Sequence, residues 1–548
     1  MLVGILCLGI FFRFVNLDTK VFWVDEVATA LRVSGYTMEE MAAELIDGPA
    51  QTLPQLQRYQ YPNPEKTLSD TATSLAAEDV HPPLFFWLLR LWVSLFGNSV
   101  AALRSLAAVF GVLMFPAVWW LCRELFTTEQ NNQPSKLALS NLIGWVAVAL
   151  IAISPVQVVF AQESRQYTLW MLLILLASAT LLRSLRKHRW YSWAIYGGLM
   201  TLGLYTHYLF ALIIASHGLY VLCTERLRPT RNLLIYLLAT ALAGIGYLPW
   251  LLFKWRFPTD TSQLSWMDQP PNPISMAAQV TGILSRSFVD LGVATINGSL
   301  TTLIVVPLIL LLVLVCLVAI VCLVRQTPFR TWFFVAALGG INAAVIVGSY
   351  FVLNKEIAAS RFFLPLTLSL QLTVAYLLVA GIQQTKPLLA RYFNQPILWR
   401  ALGGALLSMG VVSCLLRLNA PLWWTQMPAF NEYIPAIAQS LSQEEDALVI
   451  MDSSRDVIFF NITQQQSLLH TVDPNLQMEM QLVKETIPNL TATTARNTFL
   501  YLPIDMAGMV ESPEDLQAQM SERYSVTLEP VVPGTFWRVV ADANQSTG

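Results

Sequence analysis

The chain has 548 residues, of which 55% are hydrophobic and only 12% charged, and its formal net charge is −2. A soluble domain carries about 25% charged residues, so this composition, with a mean hydropathy of +0.53, points to a polytopic membrane protein. The near-neutral charge argues against nucleic acid, which needs a basic face. Six cysteines (Cys7, Cys122, Cys223, Cys316, Cys322 and Cys414) all lie in apolar runs without a Cys-x-x-Cys or Cys/His cluster, so neither a disulfide framework nor a metal site is expected.

In chain order, apolar runs of crossing length fall at about 2–17, 104–122, 138–156, 167–182, 190–206, 208–223, 233–253, 300–324, 331–352, 362–382 and 398–418. They predict about eleven spans, each near the ~20 residues that a ~30 Å hydrocarbon core requires, some a little short. The first has no charged leader and no small-residue cleavage site, and it is expected to be an anchor rather than a signal peptide. Arg123 with Lys136, then Arg183/Arg186/Lys187/Arg189, Arg226/Arg228/Arg231, Arg325/Arg330 and Lys386/Arg391/Arg400 each follow an even-numbered span. The positive-inside rule makes that side cytoplasmic. Residues 18–103, 157–166, 254–299, 353–361 and the tail from 419 then face outward.

Residues 84–97 (LFFWLLRLWVSLFG) are apolar too, but fourteen helical residues reach only about 21 Å and Arg90 sits mid-segment. They predict a helix along the outer interface, with Trp87 and Trp92 at headgroup level. Beyond 418, polar stretches alternate with short apolar runs, ALVIMD (447–452), NTFLYLPI (497–504) and WRVV (537–540). Strands with helical connections predict a small α/β outer domain. The expected organisation is therefore mostly α: a membrane helix bundle over 1–418, with interfacial helices in its first outer loop (18–103), and a C-terminal α/β domain over 419–548.

The outward loops carry the polar candidates. FWVDE (22–26) places Asp25 and Glu26 where a short helix should begin; the plain alternative is a helix cap, for which Asp is a common choice. In HPPL (81–84), His81 precedes two prolines that fix an extended entry to the next helix, and the alternative there is a solvated turn residue. AQESRQY (161–167) holds Glu163, Arg165 and Tyr167, of which the two charges could form an ordinary interfacial ion pair. NKEIAASRFFLP (354–365) puts Lys355 and Arg361 on the side where cations are scarce, or else anchors them to headgroups. His207, in YTHY (205–208), reads as a structural residue of the aromatic belt. Carboxylates beside cations suit transfer of a sugar from a polyprenyl phosphate. A carboxylate takes the proton from the attacking hydroxyl or amine, and fixed cations stabilise the departing phosphate.

WVDE after the first span, HPPL, AALRSLAAVFG (101–111), the QESRQY loop and SRFFLP before span ten together resemble the GT-C superfamily of membrane glycosyltransferases. The similar branch is that of protein O-mannosyltransferases and lipid A aminoarabinose transferases, and the resemblance covers roughly residues 1–385. It implies a GT-C bundle and a donor sugar on a polyprenyl phosphate or diphosphate. The acceptor would be a lipid, a polysaccharide or a protein, and the site would lie on the outer face of the inner membrane. It further implies Asp25 as the catalytic base and Glu163 as the second essential carboxylate, often Asp in relatives. His81 would stand near the lipid phosphate and Arg361 would grip it. Glu26, Arg165, Tyr167 and Lys355 are substrate-binding candidates without a firm match. The first loop lacks the Asp-x-Asp of oligosaccharyltransferases, so no metal or other cofactor is implied. Two other classes stay open: a transporter or flippase of polyprenyl-linked glycans, for which polar or broken mid-membrane helices are expected, and a non-catalytic assembly subunit.

Overall fold

The computed structural model describes residues 2–78, 81–127, 134–257, 272–292, 299–353, 360–383, 395–454, 458–485, 497–504 and 512–540. The chain divides into two compact units. The first comprises Met1–Leu17, Val80–Phe85 and Arg104–Asn419, and the second Asp18–Asp79, Phe86–Leu103 and Ala420–Gly548.

In the first unit all eleven apolar runs are helical. Among the described residues, seven helices are long and apolar enough to cross a membrane: Val100–Phe126, Tyr167–Lys187, Arg231–Lys254, Val305–Gln326, Phe329–Val352, Ser360–Gln383 and Pro396–Leu418. Leu137–Ala152 with Pro155–Ala161 adds an eighth if the two are one span bent by 62°. Leu2–Phe14, Trp190–Leu204 and Phe210–Thr224 have only 13, 15 and 15 residues, so eleven is a count of apolar helices rather than of full-length spans. The protein is a multi-pass membrane helix bundle.

The bend has a definite chemistry. Pro155 cannot donate to the preceding turn, so carbonyls at the end of the first segment lose their helical partners. Arg13, fully buried on the first helix, supplies donors in their place: Nη1 to the Ala152 carbonyl at 2.6 Å and Nη2 to that of Ile151 at 3.0 Å. Gly111 makes room for this, since a Cβ there would lie 3.0 Å from Arg13 Nε and 2.9 Å from Ala161 Cβ. Behind the bend, Gln371 Nε2 donates to Ser154 Oγ (2.9 Å) and to the Ser287 carbonyl (3.1 Å), and Gln157 Nε2 donates to Gln371 Oε1 (3.2 Å). Polar side chains buried among apolar helices thus satisfy one another. The expected outer loop 157–166 is corrected in its first half: Pro155–Ala161 is a helix, and the loop shrinks to 162–166.

The second unit is built on a six-stranded sheet of order β1-β3-β2-β4-β6-β5. Its strands are β1 Gln51–Thr52, β2 Ala447–Asp452, β3 Met478–Val483, β4 Asn497–Tyr501, β5 Thr527–Val532 and β6 Phe536–Val540. β2 is parallel to both β3 and β4, while β1 joins β3 and β6 joins β4 antiparallel. A central strand covered on both faces reads as a continuous apolar run, and ALVIM (447–451) does, before it closes on Asp452. Val449 and Met451 enter one core, and Leu448 and Ile450 the other. The first core also takes Leu31, Met41, Leu45, Leu53 and Leu56 from the first loop. Packing therefore groups residues 18–79 and 86–103, expected with the membrane helices, with the tail. Val21 N–H donates to the Pro421 carbonyl at 3.1 Å and Lys20 Nζ to that of Ala420 at 2.9 Å, tying the start of this unit to the chain that leaves the last apolar helix. The apolar stretch at 84–97 forms a 13-residue helix, Leu84–Phe96. Its Arg90 is turned to protein, donating to the carbonyls of Val33 and Lys66.

Arg13→Met keeps an apolar side chain of similar length but removes the Arg13 donors from the Ala152 and Ile151 carbonyls, leaving Ile151 only the 3.4 Å bond from Ser154 N–H; a buried carbonyl left without a donor costs about 1–3 kcal/mol. The purified variant in detergent should unfold at a clearly lower temperature than the wild type. An unchanged unfolding temperature would show that the bend holds without Arg13.

Candidate active site

Asp25 and Glu26 belong to the second unit, in the first turn of the helix Val24–Ser34. Trp23 is the N-cap residue, and no side chain caps the helix. The cap explanation of Asp25 therefore fails, although its charge still favours the positive end of the helix dipole. Asp25 is half-buried and Glu26 fully buried. The other described candidates belong to the first unit. Lys355 lies outside the described residues.

In the first unit the loop 162–166 is pinned at its first residue. Gln162 Nε2 donates to the carbonyls of Phe12 (2.7 Å) and Val15 (2.8 Å), while its Oε1 accepts from Arg417 on the last apolar helix. Glu163 follows at 0% exposure, and its carboxylate acts electrostatically on Arg417. A tight turn, with Arg165 N–H on the Glu163 carbonyl at 2.7 Å, then brings Arg165 beneath the N-terminus of the helix Tyr167–Lys187. Arg165 is thereby held by its own backbone beside a helix end that already favours anions.

Four loops converge there. Arg165 Nη2 stands 3.4 Å from His81 Nε2; guanidinium can only donate, so that ring nitrogen accepts and carries no proton. The Arg165 guanidinium carbon lies 5.7 Å from the centre of the Tyr167 ring. His207, in the turn between Trp190–Leu204 and Phe210–Thr224, has its ring 5.9 Å from His81, 6.2 Å from Tyr167 and 6.2 Å from Phe362, and stacked on Trp170 at 4.6 Å. Arg361 precedes Phe362 in the 3-10 turn Ser360–Phe363. The entry to this region is fixed by Leu84 N–H on the Tyr205 carbonyl at 3.0 Å. Burial, and then the charges of His81, Arg165 and Arg361, push the His207 pKa well below its ordinary value. Burial first, and the neighbouring charges second, keep this histidine neutral. Chemically, this arrangement suits an anion rich in acceptor oxygens.

His81, Glu163, Arg165, Tyr167 and Arg361 are thus brought to one region of the first unit, together with His207, which the sequence assigned a structural role. The signal for it was present: YTHY falls in an outward turn between two short apolar helices. Arg417 had no signal, because it closes an apolar run and resembles an ordinary flanking charge. Among the described residues no group of three or more His, Cys, Asp or Glu could hold a metal ion.

Residues 80–253 match the family model described as dolichyl-phosphate-mannose-protein mannosyltransferase. Among solved structures, the chain is similar to ArnT from Cupriavidus metallidurans bound to undecaprenyl phosphate, with 12% identity, 99% of this chain and 98% of that chain covered, and a TM-score of 0.52. The same protein in its apo state gives 12% identity, the same coverage and a TM-score of 0.51. The oligosaccharyltransferase of Archaeoglobus fulgidus, tethered to an acceptor peptide, is similar at 11% identity over 95% of this chain and 70% of that chain, with a TM-score of 0.43. No protein of curated function matches in sequence. The likeness to ArnT shows a shared fold.

The pairing of Glu163 with Arg417 yields a coupling test. Arg417→Met removes a cation whose charge acts on the buried Glu163 carboxylate, and the variant should lose stability. Glu163→Gln introduced into that variant should recover part of it, so the two changes are non-additive in thermal unfolding. Strict additivity would mean that the two charges do not compensate each other.

Proposed function

We propose that this protein transfers a sugar from a polyprenyl phosphate or diphosphate carrier to an acceptor hydroxyl or amine at the outer face of the plasma membrane. The observation that carries the reading is the convergence of Arg165, Arg361 and His81 around a neutral His207, beside the N-terminus of a 21-residue helix. Two arginines beside a helix N-terminus attract an anion, and a phosphate is the anion that a lipid-linked sugar carries. The similar ArnT was solved with undecaprenyl phosphate. The outer location is supported by the basic loops after even-numbered apolar runs, because the candidate loops all fall after odd-numbered ones.

In the proposed reaction the acceptor oxygen or nitrogen attacks the anomeric carbon and the carbon–oxygen bond to the phosphate breaks. The leaving phosphate keeps the electron pair, stabilised by Arg361, Arg165 and His81. Asp25 takes the acceptor proton. In support of Asp25, it lies in the first outward loop, in the first turn of Val24–Ser34, and remains half-buried rather than sealed. Glu163, charge-balanced by Arg417, is the second essential carboxylate and orients the sugar or acceptor, while Glu26, Tyr167 and Lys355 contribute to substrate binding. The tail, about 425–548, is proposed to govern the acceptor: a lipid, a polysaccharide or a protein.

Asp25→Asn preserves shape but cannot accept a proton, so transfer in proteoliposomes should fall about 10²–10⁴-fold. Its unfolding temperature should barely move, because Trp23 and not Asp25 occupies the cap. Glu26→Gln points about 100° away on the helix and should lose affinity more than turnover. Full activity in Asp25→Asn would remove Asp25 as the base.

Arg361→Ala should weaken use of the lipid donor, raising its KM, while the protein still inserts and folds. Arg361→Lys should restore only part of the loss, since a point charge replaces a forked donor. Wild-type kinetics in the alanine variant would take Arg361 out of the phosphate site.

A further inference from the structure

Of the five histidines in the chain, two lie buried in the first unit with both neighbours of the ring defined, and they are satisfied differently. His217, within Phe210–Thr224, has both nitrogens engaged: Nε2 with Ser178 Oγ and Nδ1 with Tyr196 Oη, each at 3.1 Å. Its polar capacity is met by the fold. His207 is 5% exposed, and only one nitrogen is used. The backbone N–H of Leu209 donates to Nδ1 at 3.1 Å. Because a backbone N–H can only donate, Nδ1 must be the unprotonated nitrogen, and in the neutral ring the proton sits on Nε2. Among the described residues Nε2 has no hydrogen-bond partner.

A buried N–H without an acceptor is costly, and buried polar groups left so are rare enough to need a reason. Here the reason is in the surroundings. One face of the ring is covered by Trp170, the edges meet His81, Tyr167 and Phe362, and the charges acting on the ring come from His81, Arg165 and Arg361. None of these neighbours accepts from Nε2, and Arg165 and Arg361 among them are cations. The missing acceptor is therefore one that the cations would also hold, an anionic oxygen. We infer that His207 is a further binding residue of the donor site, giving its Nε2–H to a phosphate oxygen of the lipid-linked sugar while its Nδ1 holds the 205–209 turn. This rests on the donor chemistry proposed above and adds to it a neutral donor from a fourth loop. Being uncharged, His207 can direct an oxygen without adding to the repulsion among the cations.

The two nitrogens can be tested separately, because an Asn amide oxygen reaches the position of Nδ1 and a Gln amide nitrogen that of Nε2. Binding of undecaprenyl phosphate to the purified full-length protein in nanodiscs should weaken about tenfold or more in His207→Asn, as for a lost hydrogen bond to a charged group. It should stay near wild type in His207→Gln. The unfolding temperature without lipid should order them the opposite way, with Asn, which keeps the turn, the more stable. Wild-type binding in His207→Asn overturns the inference, as does equal loss in both variants, since Gln retains the donor. Inorganic phosphate, used as the competing probe, should bind far more weakly than the lipid; comparable affinity would assign the site to free phosphate and contradict the lipid donor. If the wild type binds no undecaprenyl phosphate, the proposed function itself fails. If the wild type binds it and Arg361→Ala loses it while His207→Asn does not, only the role of His207 falls.

Discussion

Arginine is costly inside a bundle of apolar helices unless every charge finds oxygen, and among the described residues the first unit buries four, Arg165 in the candidate site and three on the apolar helices. Arg13 is bonded to the carbonyls of Gly9, Ile151 and Ala152, Arg104 to that of Leu17 at 2.6 Å, and Arg417 to the side chain of Gln162. Each interaction joins a helix end to a segment that would otherwise carry unsatisfied backbone or a free loop. Together they fix the break at Pro155, the exit of the first helix and the first residue of the 162–166 loop. The positions of Glu163 and Arg165 follow from these constraints, because both residues lie within three positions of Gln162. Apolar packing alone would hold the helices, but it would not orient that loop.

The candidate site draws one element from each of several loops, namely the entry to Leu84–Phe96, the 162–166 loop, the 205–209 turn and the Ser360–Phe363 turn. These loops are anchored by packed helices and backbone hydrogen bonds, and a phosphate bound among them would be held by groups that cannot relax independently. Such preorganisation lets fixed donors act on charge developing in a transition state without reorganising as it forms. The cations supply attraction, and the neutral imidazole and the helix end supply direction.

Much of this was legible from sequence. The apolar runs gave the helices, the charge pattern gave the loops, and Glu163, Arg165, His81 and Arg361 stood out because charges in short loops between apolar runs are conspicuous. What could not be read has physical reasons. The cap of Val24–Ser34 falls on Trp23, a residue with no capping side chain, so composition pointed to Asp25 instead. Pro155 was absorbed into an apolar run, and the helix that follows it was taken for a loop. The two-residue strand β1 is too short to show an alternating pattern, yet its pairing with β3 brings the first loop onto the sheet. His207 was assigned to the aromatic belt because its distinguishing feature, one engaged nitrogen and one left over, exists only in three dimensions.

The binding of a lipid-linked phosphate among these loops is the claim on which the rest depends. It is tested most directly by an experimental structure of the protein in nanodiscs with undecaprenyl phosphate. The account predicts density for the phosphate within hydrogen-bond distance of Arg165 and Arg361, with an oxygen facing His207 Nε2. A phosphate seated elsewhere on the helix bundle, with this cluster unoccupied in the lipid-bound protein, would contradict it.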